Sequence, residues 1–313
     1  MNFVSYSFSE ESTALIVGGG FSDDESKTKI AEIIPKSKVC KNTALSSLPT
    51  DISWSPSLVQ TSDEKILLCG GSNNEQRCLE FTDNQWNKHS DLTGYREYAS
   101  AVAMPEGIFI FGGHPWSWIH SPWEWLPSGT NQWQSGDTII ESGFSTGCAV
   151  EINETDILLI GGYTSRYRVL KFDTITKNFT NLGDVLKEGR SGHACTRFED
   201  QVIVTGGRKG SPYFTESRST EIINLNDLTK AHTAGNLNLA RAAHGLVVVH
   251  VENKSTVLAL GGGFSGPNGG LNSLNSIEIW NATSKTWRMT SMKLSKPRIY
   301  FGILSVPTRL LCP

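Results

Sequence analysis

Six glycine doublets punctuate the chain: Gly18-Gly19, Gly70-Gly71, Gly112-Gly113, Gly161-Gly162, Gly206-Gly207 and Gly261-Gly262. Their first members lie 52, 42, 49, 45 and 55 residues apart. Each doublet closes a short apolar run, from Ala14-Leu15-Ile16-Val17 in the first unit to Val257-Leu258-Ala259-Leu260 in the last. A period of about 40 to 50 residues built from short strands is that of a propeller blade. After each doublet come a loop of varying length, a further apolar run and a polar turn such as Thr82-Asp83-Asn84, which reverses the chain. Four units then carry an aromatic, Trp86, Trp133, Phe179 or Trp287. A basic residue with small neighbours leads into the next run, as in Arg190-Ser191-Gly192-His193 and Arg241-Ala242-Ala243-His244. Each unit therefore reads as four strands with the doublet ending the second. Residues 1–313 are expected to form one all-β domain, a six-bladed β-propeller of four-stranded antiparallel blades.

These residues resemble the kelch repeat. Six doublets in phase, each with a hydrophobic strand before it and an aromatic slot after it, cover nearly the whole chain. In that family the doublet ends the second strand of a blade and the aromatic packs between neighbouring blades. Two glycines permit positive φ and close backbone approach, and a Trp supplies a large apolar wedge. The segment Pro297-Arg298-Ile299-Tyr300-Phe301-Gly302-Ile303 aligns with the one starting at Arg241 but has no doublet after it. It is expected to pair with Ala14–Val17 and close the ring, which protects the sheet edges. Asn2–Phe8 is the rival for that place.

Composition narrows the function. With 30 Gly and 38% hydrophobic residues the chain suits many short strands. Its longest apolar runs fall short of the roughly 20 residues of a membrane helix. A formal net charge of −3 gives no reason to expect nucleic acid. No basic n-region with an apolar h-region opens the sequence, so the chain as it stands reads as cytoplasmic, and as extracellular if residues precede Met1.

Six cysteines permit 15 full pairings. Cys69 ends one strand and Cys78 opens the next, so a bridge across the loop is feasible. Cys148 and Cys195 sit in first strands of consecutive blades, and Cys40 lies where Cys312 at the other terminus could return. The pattern resembles invertebrate extracellular-type kelch propellers, with a Cys before the doublet and another in the following strand. The competing reading is a set of small reduced core residues. Zinc spacing is absent, so no metal is expected.

The kelch resemblance brings one enzymatic use, that of galactose-oxidase-type enzymes, which hold copper with two His and two Tyr, one Tyr crosslinked to Cys. Here His193 and His244 occupy matching repeat positions, which favours a structural role. A nucleophile elbow and a phosphate loop are both missing. The expectation is therefore a non-enzymatic scaffold with no catalytic residue and no cofactor. It would bind a protein or peptide through loops on one face. Kelch propellers of the BTB-associated kind recruit substrates for ubiquitin ligases, but their preceding domains are not in this sequence. A galactose-oxidase-like or carbohydrate-active relative is the alternative. Candidate partner-binding residues follow the doublets: Trp116 and Trp118, then Tyr163, Arg166 and Tyr167, then Arg208, Tyr213 and Phe214. Trp is favoured at binding hot spots, and arginines among aromatics suit an acidic or extended peptide.

Overall fold

Short apolar runs bounded by glycines and polar turns drive each repeat into an antiparallel sheet, and the computed structural model shows six such sheets arranged as a propeller. It describes residues 10–20, 31–34, 45–46, 48–49, 55–71, 76–114, 123–136, 144–164, 166–210, 214–265 and 271–311. Five blades are four-stranded. The fifth, for example, runs from Ala194–Phe198 through Gln201–Thr205 and Thr220–Asn224 to Asp227–Ala234, each strand pairing with the next. Helix is confined, among the described residues, to Thr308–Leu311.

The first blade joins the two ends of the chain. Ser12–Val17 pairs with Ala31–Ile34 on one side and with the C-terminal strand Gly302–Pro307 on the other, with Val17 opposite Gly302 and Ser12 opposite Pro307. The C-terminal strand is thus the innermost of its blade, as its alignment with the strand after Arg241 implies. The rival strand 2–8 lies outside the described residues.

Six apolar clusters fill the junctions between blades. Trp86 packs with Leu15 and Leu58 between the first and second blades, and Trp133 with Leu67 and Ile110 between the second and third. Trp287 lies with Ile203 and Val257 between the fifth and sixth, and its indole N–H donates to Thr220 Oγ1 of the preceding blade at 2.9 Å. The last aromatic of a repeat is therefore a wedge against the blade before it.

The doublets meet a steric demand. A Cβ placed on Gly112 would sit 1.5 Å from the Phe144 carbonyl oxygen, and one on Gly206 would sit 2.3 Å from that of Arg241. Both glycines have positive φ, +66° and +59°. Close approach and left-handed backbone coincide, and only glycine serves both.

Four buried arginines lock this end of the blades. The Arg241 carbonyl accepts from Gly207 N of the fifth blade, while its guanidinium reaches Gly261 O at 2.7 Å and Glu278 at 2.7 Å in the sixth. Arg190 repeats this with Gly162, Gly206 and Glu221, and Arg298 with Gly262, Gly18 and Glu32. Arg96 does so with Gly71, Gly112 and Glu124. In the fourth blade the corresponding positions hold Phe144 and Leu170, which share one apolar cluster. Both places of the ion pair are apolar there.

Two disulfides form. Cys69–Cys78 joins the second and third strands of one blade with Cα atoms 4.1 Å apart, and Cys148–Cys195 joins the innermost strands of the fourth and fifth blades at 5.9 Å. Cys40 and Cys312 lie outside the described residues.

Candidate functional site

On the face where the doublets end, the segments entering the innermost strands run as a belt around the axis. Thr146 N donates to Tyr98 O, Gly192 N to Thr146 O, Ala243 N to Gly192 O, Tyr300 N to Ala243 O and Ser55 N to Tyr300 O, at 2.6 to 3.1 Å. All six belt residues have φ between 52° and 60°. For a bulky residue such as Tyr this left-handed conformation is costly. Tyr98 and Tyr300 nevertheless adopt it, and their rings meet edge to face with centroids 5.0 Å apart. The belt opens on a cavity of about 90 Å³ bordered by Ser55, Tyr98, Thr146, Gly192, Ala243 and Tyr300. That space, the axial mouth, holds a few water molecules.

Burial raises the pKa of both tyrosines, and the Glu97 carboxylate, hydrogen-bonded to Tyr98, raises that of Tyr98 further. Both phenols therefore stay protonated at neutral pH and can donate hydrogen bonds. Arg208 acts on both rings in the opposite direction and pairs with Glu216 at 3.2 Å. The mouth thus joins two phenols, two carboxylates and a guanidinium. Neither tyrosine was singled out from the sequence. The signal lay in the matching triplets Arg96-Glu97-Tyr98, Arg241-Ala242-Ala243 and Arg298-Ile299-Tyr300, whose third position is the belt.

Several sequence candidates gather on the rim of this face. The Arg166 guanidinium lies over the Phe214 ring at 4.6 Å and over Tyr163 at 6.0 Å. It also donates to the carbonyls of Tyr163 and Gly210. Tyr163 and Tyr167 are 56% and 48% exposed, the latter beside Gly189. Glu216 accepts from the backbone N–H and hydroxyl of Ser265 in the next blade. Trp116, Trp118 and Tyr213 lie outside the described residues.

His193 and His244 border the mouth, but their rings turn into the blades. Each would touch a Cβ on the first glycine of the preceding doublet, Gly161 or Gly206. His244 Nε2 bonds Thr205 Oγ1 at 2.8 Å and His244 Nδ1 is buried without a partner, while the buried His193 ring lies against the Ile160 backbone. Burial, reinforced by the neighbouring arginines, pulls the His193 pKa down to about 3 and that of His244 well below its ordinary value. The expected structural role of these residues agrees with this placement.

A larger hollow of about 660 Å³ lies on the opposite face between Asp63–Ile66 and Arg309–Leu311. Much of its charge is paired, Arg309 with Glu10 and Glu64 and Lys65 with Asp63 and Glu80.

No protein-family model matches the sequence, and neither does any curated protein. Solved structures do match the fold. The chain resembles YjhT at 15% identity, with 84% of this chain and 88% of that one covered and a TM-score of 0.67. It also resembles a fungal alcohol oxidase of the AA5 family, solved in complex with copper, at 14% identity and a TM-score of 0.66. That match covers 91% of this chain but 63% of the oxidase, so the chain spans less than two thirds of the oxidase's length.

The expectation of a protein without enzyme activity needs correction. It rested on finding no catalytic motif in a fold read as a binding scaffold. The same fold carries a copper alcohol oxidase, so the architecture gives no ground for excluding catalysis. A propeller's chemistry sits where its loops converge, and such a constellation leaves no compact sequence motif.

Among the described residues, the side chains bordering this mouth do not suit copper. The imidazole nitrogens of His193 and His244 are buried or spent on Thr205, and Tyr98 is engaged with Glu97. Among the described residues no group of three or more His, Cys, Asp or Glu could hold a metal ion.

Proposed function

We propose that the chain is a carbohydrate-active enzyme of the kelch-propeller kind, working without copper, and that its substrate sits in the axial mouth over Tyr98 and Tyr300. The observation that carries this reading is the pair of bulky tyrosines held in left-handed backbone at the centre of the ring. Strain of that kind persists where the surrounding structure imposes it, and it clusters at functional sites. An aromatic pair gives the apolar face of a sugar ring a platform, while phenols, carboxylates and a guanidinium satisfy its hydroxyls. Glu97 beside Tyr98 supplies a general base: its carboxylate accepts a proton from a substrate hydroxyl, while the Tyr98 phenol, kept protonated by burial, acts as a hydrogen-bonding group. Arg208 balances negative charge that develops beside the rings.

The rim extends this site. Arg166 is held over Phe214 beside the exposed Tyr163 and Tyr167, an arrangement that also suits a protein or peptide partner approaching the same face.

The test is a panel of mono- and disaccharides screened by ligand-observed NMR and assayed for turnover, on wild type, Tyr98→Phe and Tyr300→Phe. The reading requires saturable binding by at least one saccharide, weakened about tenfold or more by either substitution, a change equal to about 1.4 kcal/mol, with melting temperature preserved. Absence of binding across the panel refutes it.

A further inference from the structure

The chain contains four Asn-x-Ser/Thr triplets, at Asn153, Asn178, Asn253 and Asn281. All four asparagines are exposed and lie in or beside hairpin turns. Asn153 falls between Cys148–Glu151 and Asp156–Ile160, and Asn253 between Gly245–Val251 and Lys254–Leu260. These are the turns joining first to second strands in the fourth and sixth blades. Asn178 opens the strand Asn178–Asp184 after Arg168–Asp173, and Asn281 closes Ser276–Asn281 before Thr286–Lys293. These flank the turns joining third to fourth strands in the same two blades. Antiparallel order places both kinds of turn at the end away from the doublets. Every acceptor triplet of the sequence is therefore on the face opposite the mouth.

The second observation is redox state. Among the described residues no cysteine is free, and two disulfides form. Disulfides persist in oxidising compartments, where the Asn-x-Ser/Thr triplet is also modified on surface loops.

We infer that this protein is N-glycosylated at Asn153, Asn178, Asn253 and Asn281, and that its far face is sheathed in glycan while the mouth face stays bare. The donor is a polyprenyl-diphosphate-linked oligosaccharide. The asparagine Nδ2 bonds to the sugar C1, the C1–oxygen bond to diphosphate breaks, the lipid diphosphate leaves, and an amide proton passes to a base. The folded turns tolerate the product. Asn281 holds its turn through Oδ1, which accepts from Thr283 and Ser284 at 3.0 Å, and Asn153 Oδ1 accepts from Thr155 and Asp156. Asn153 Nδ2 donates to Asp156 at 2.8 Å, and a substituted amide keeps one N–H for that bond. A bulky hydrophilic sheath at four points stops this face from docking, which leaves the mouth as the surface open to ligands.

The experiment takes protein secreted by a eukaryotic host behind a cleavable leader, confirms both disulfides by non-reducing peptide mapping, and treats it with peptide N-glycosidase. The inference requires a downward mass shift, with Asn converted to Asp at the four named positions. Single Asn→Gln variants should each remove one glycan from the intact mass. If a variant is not secreted, the wild-type peptide map alone decides. Disulfide-bonded secreted protein with unmodified asparagine at these positions overturns the inference.

Discussion

The guanidinium of Arg241 lies 2.7 Å from the carboxylate of Glu278, and neither side chain has any exposure. Three further pairs, Arg96–Glu124, Arg190–Glu221 and Arg298–Glu32, hold the equivalent places in other blades. The fourth blade fills both places with apolar side chains. Arg241→Ala should therefore cost about 3 to 5 kcal/mol, because it strands a buried carboxylate. The double variant Arg241→Leu/Glu278→Leu should recover most of that loss, following Phe144 and Leu170. Urea denaturation of the three proteins measures both effects.

The two disulfides close loops of different length, with a sequence separation of 47 between Cys148 and Cys195 and of 9 between Cys69 and Cys78. In the chain-entropy account these contribute about 4 and 2.6 kcal/mol respectively. Cys148→Ser/Cys195→Ser should thus lower the melting temperature more than Cys69→Ser/Cys78→Ser. Equal losses would show that local packing rather than chain entropy sets their effect.

Two glycines of positive φ separate strain from crowding. Gly129, at +78°, has nothing within 4 Å of an added Cβ, whereas Gly112 has the Phe144 carbonyl at 1.5 Å. Gly129→Ala should cost about 1 kcal/mol, the price of left-handed backbone alone, and Gly112→Ala several times more. Paired denaturation curves provide the check.

Acid should destabilise the ring through its buried histidines. The His193 pKa is about 3 in the folded protein against about 6.5 unfolded, so the unfolded chain takes up the proton first. The stability from neutral His193 is complete above that unfolded value and is lost as pH falls towards 3. His244 acts in the same direction. Denaturation midpoints at pH 7, 6 and 5 should fall in that order, and His193→Gln should flatten the dependence. A midpoint indifferent to pH in this range would contradict the burial of these rings.

Much of this architecture is legible in the sequence because the steric need is local. Gly206 must be glycine beside the Arg241 carbonyl, and six such positions in phase reveal the blades. The closing strand could be aligned because Arg298 repeats Arg241. The mouth was harder to read. Ser55, Tyr98, Thr146, Gly192, Ala243 and Tyr300 share one backbone conformation but no side-chain chemistry. Their convergence is a property of the closed ring, and no stretch of sequence displays it. The same holds for Leu170, which shares an apolar cluster with Phe144 and whose place becomes meaningful only once the ion pairs of four other blades are seen.

The account turns on what occupies the axial mouth. A crystal structure with the tightest-binding saccharide tests it most directly. It should place the sugar ring in van der Waals contact with Tyr98 and Tyr300, within about 4 Å, with hydroxyls directed to Glu97 and Arg208. A saccharide bound elsewhere on the protein, with the mouth empty, would contradict it.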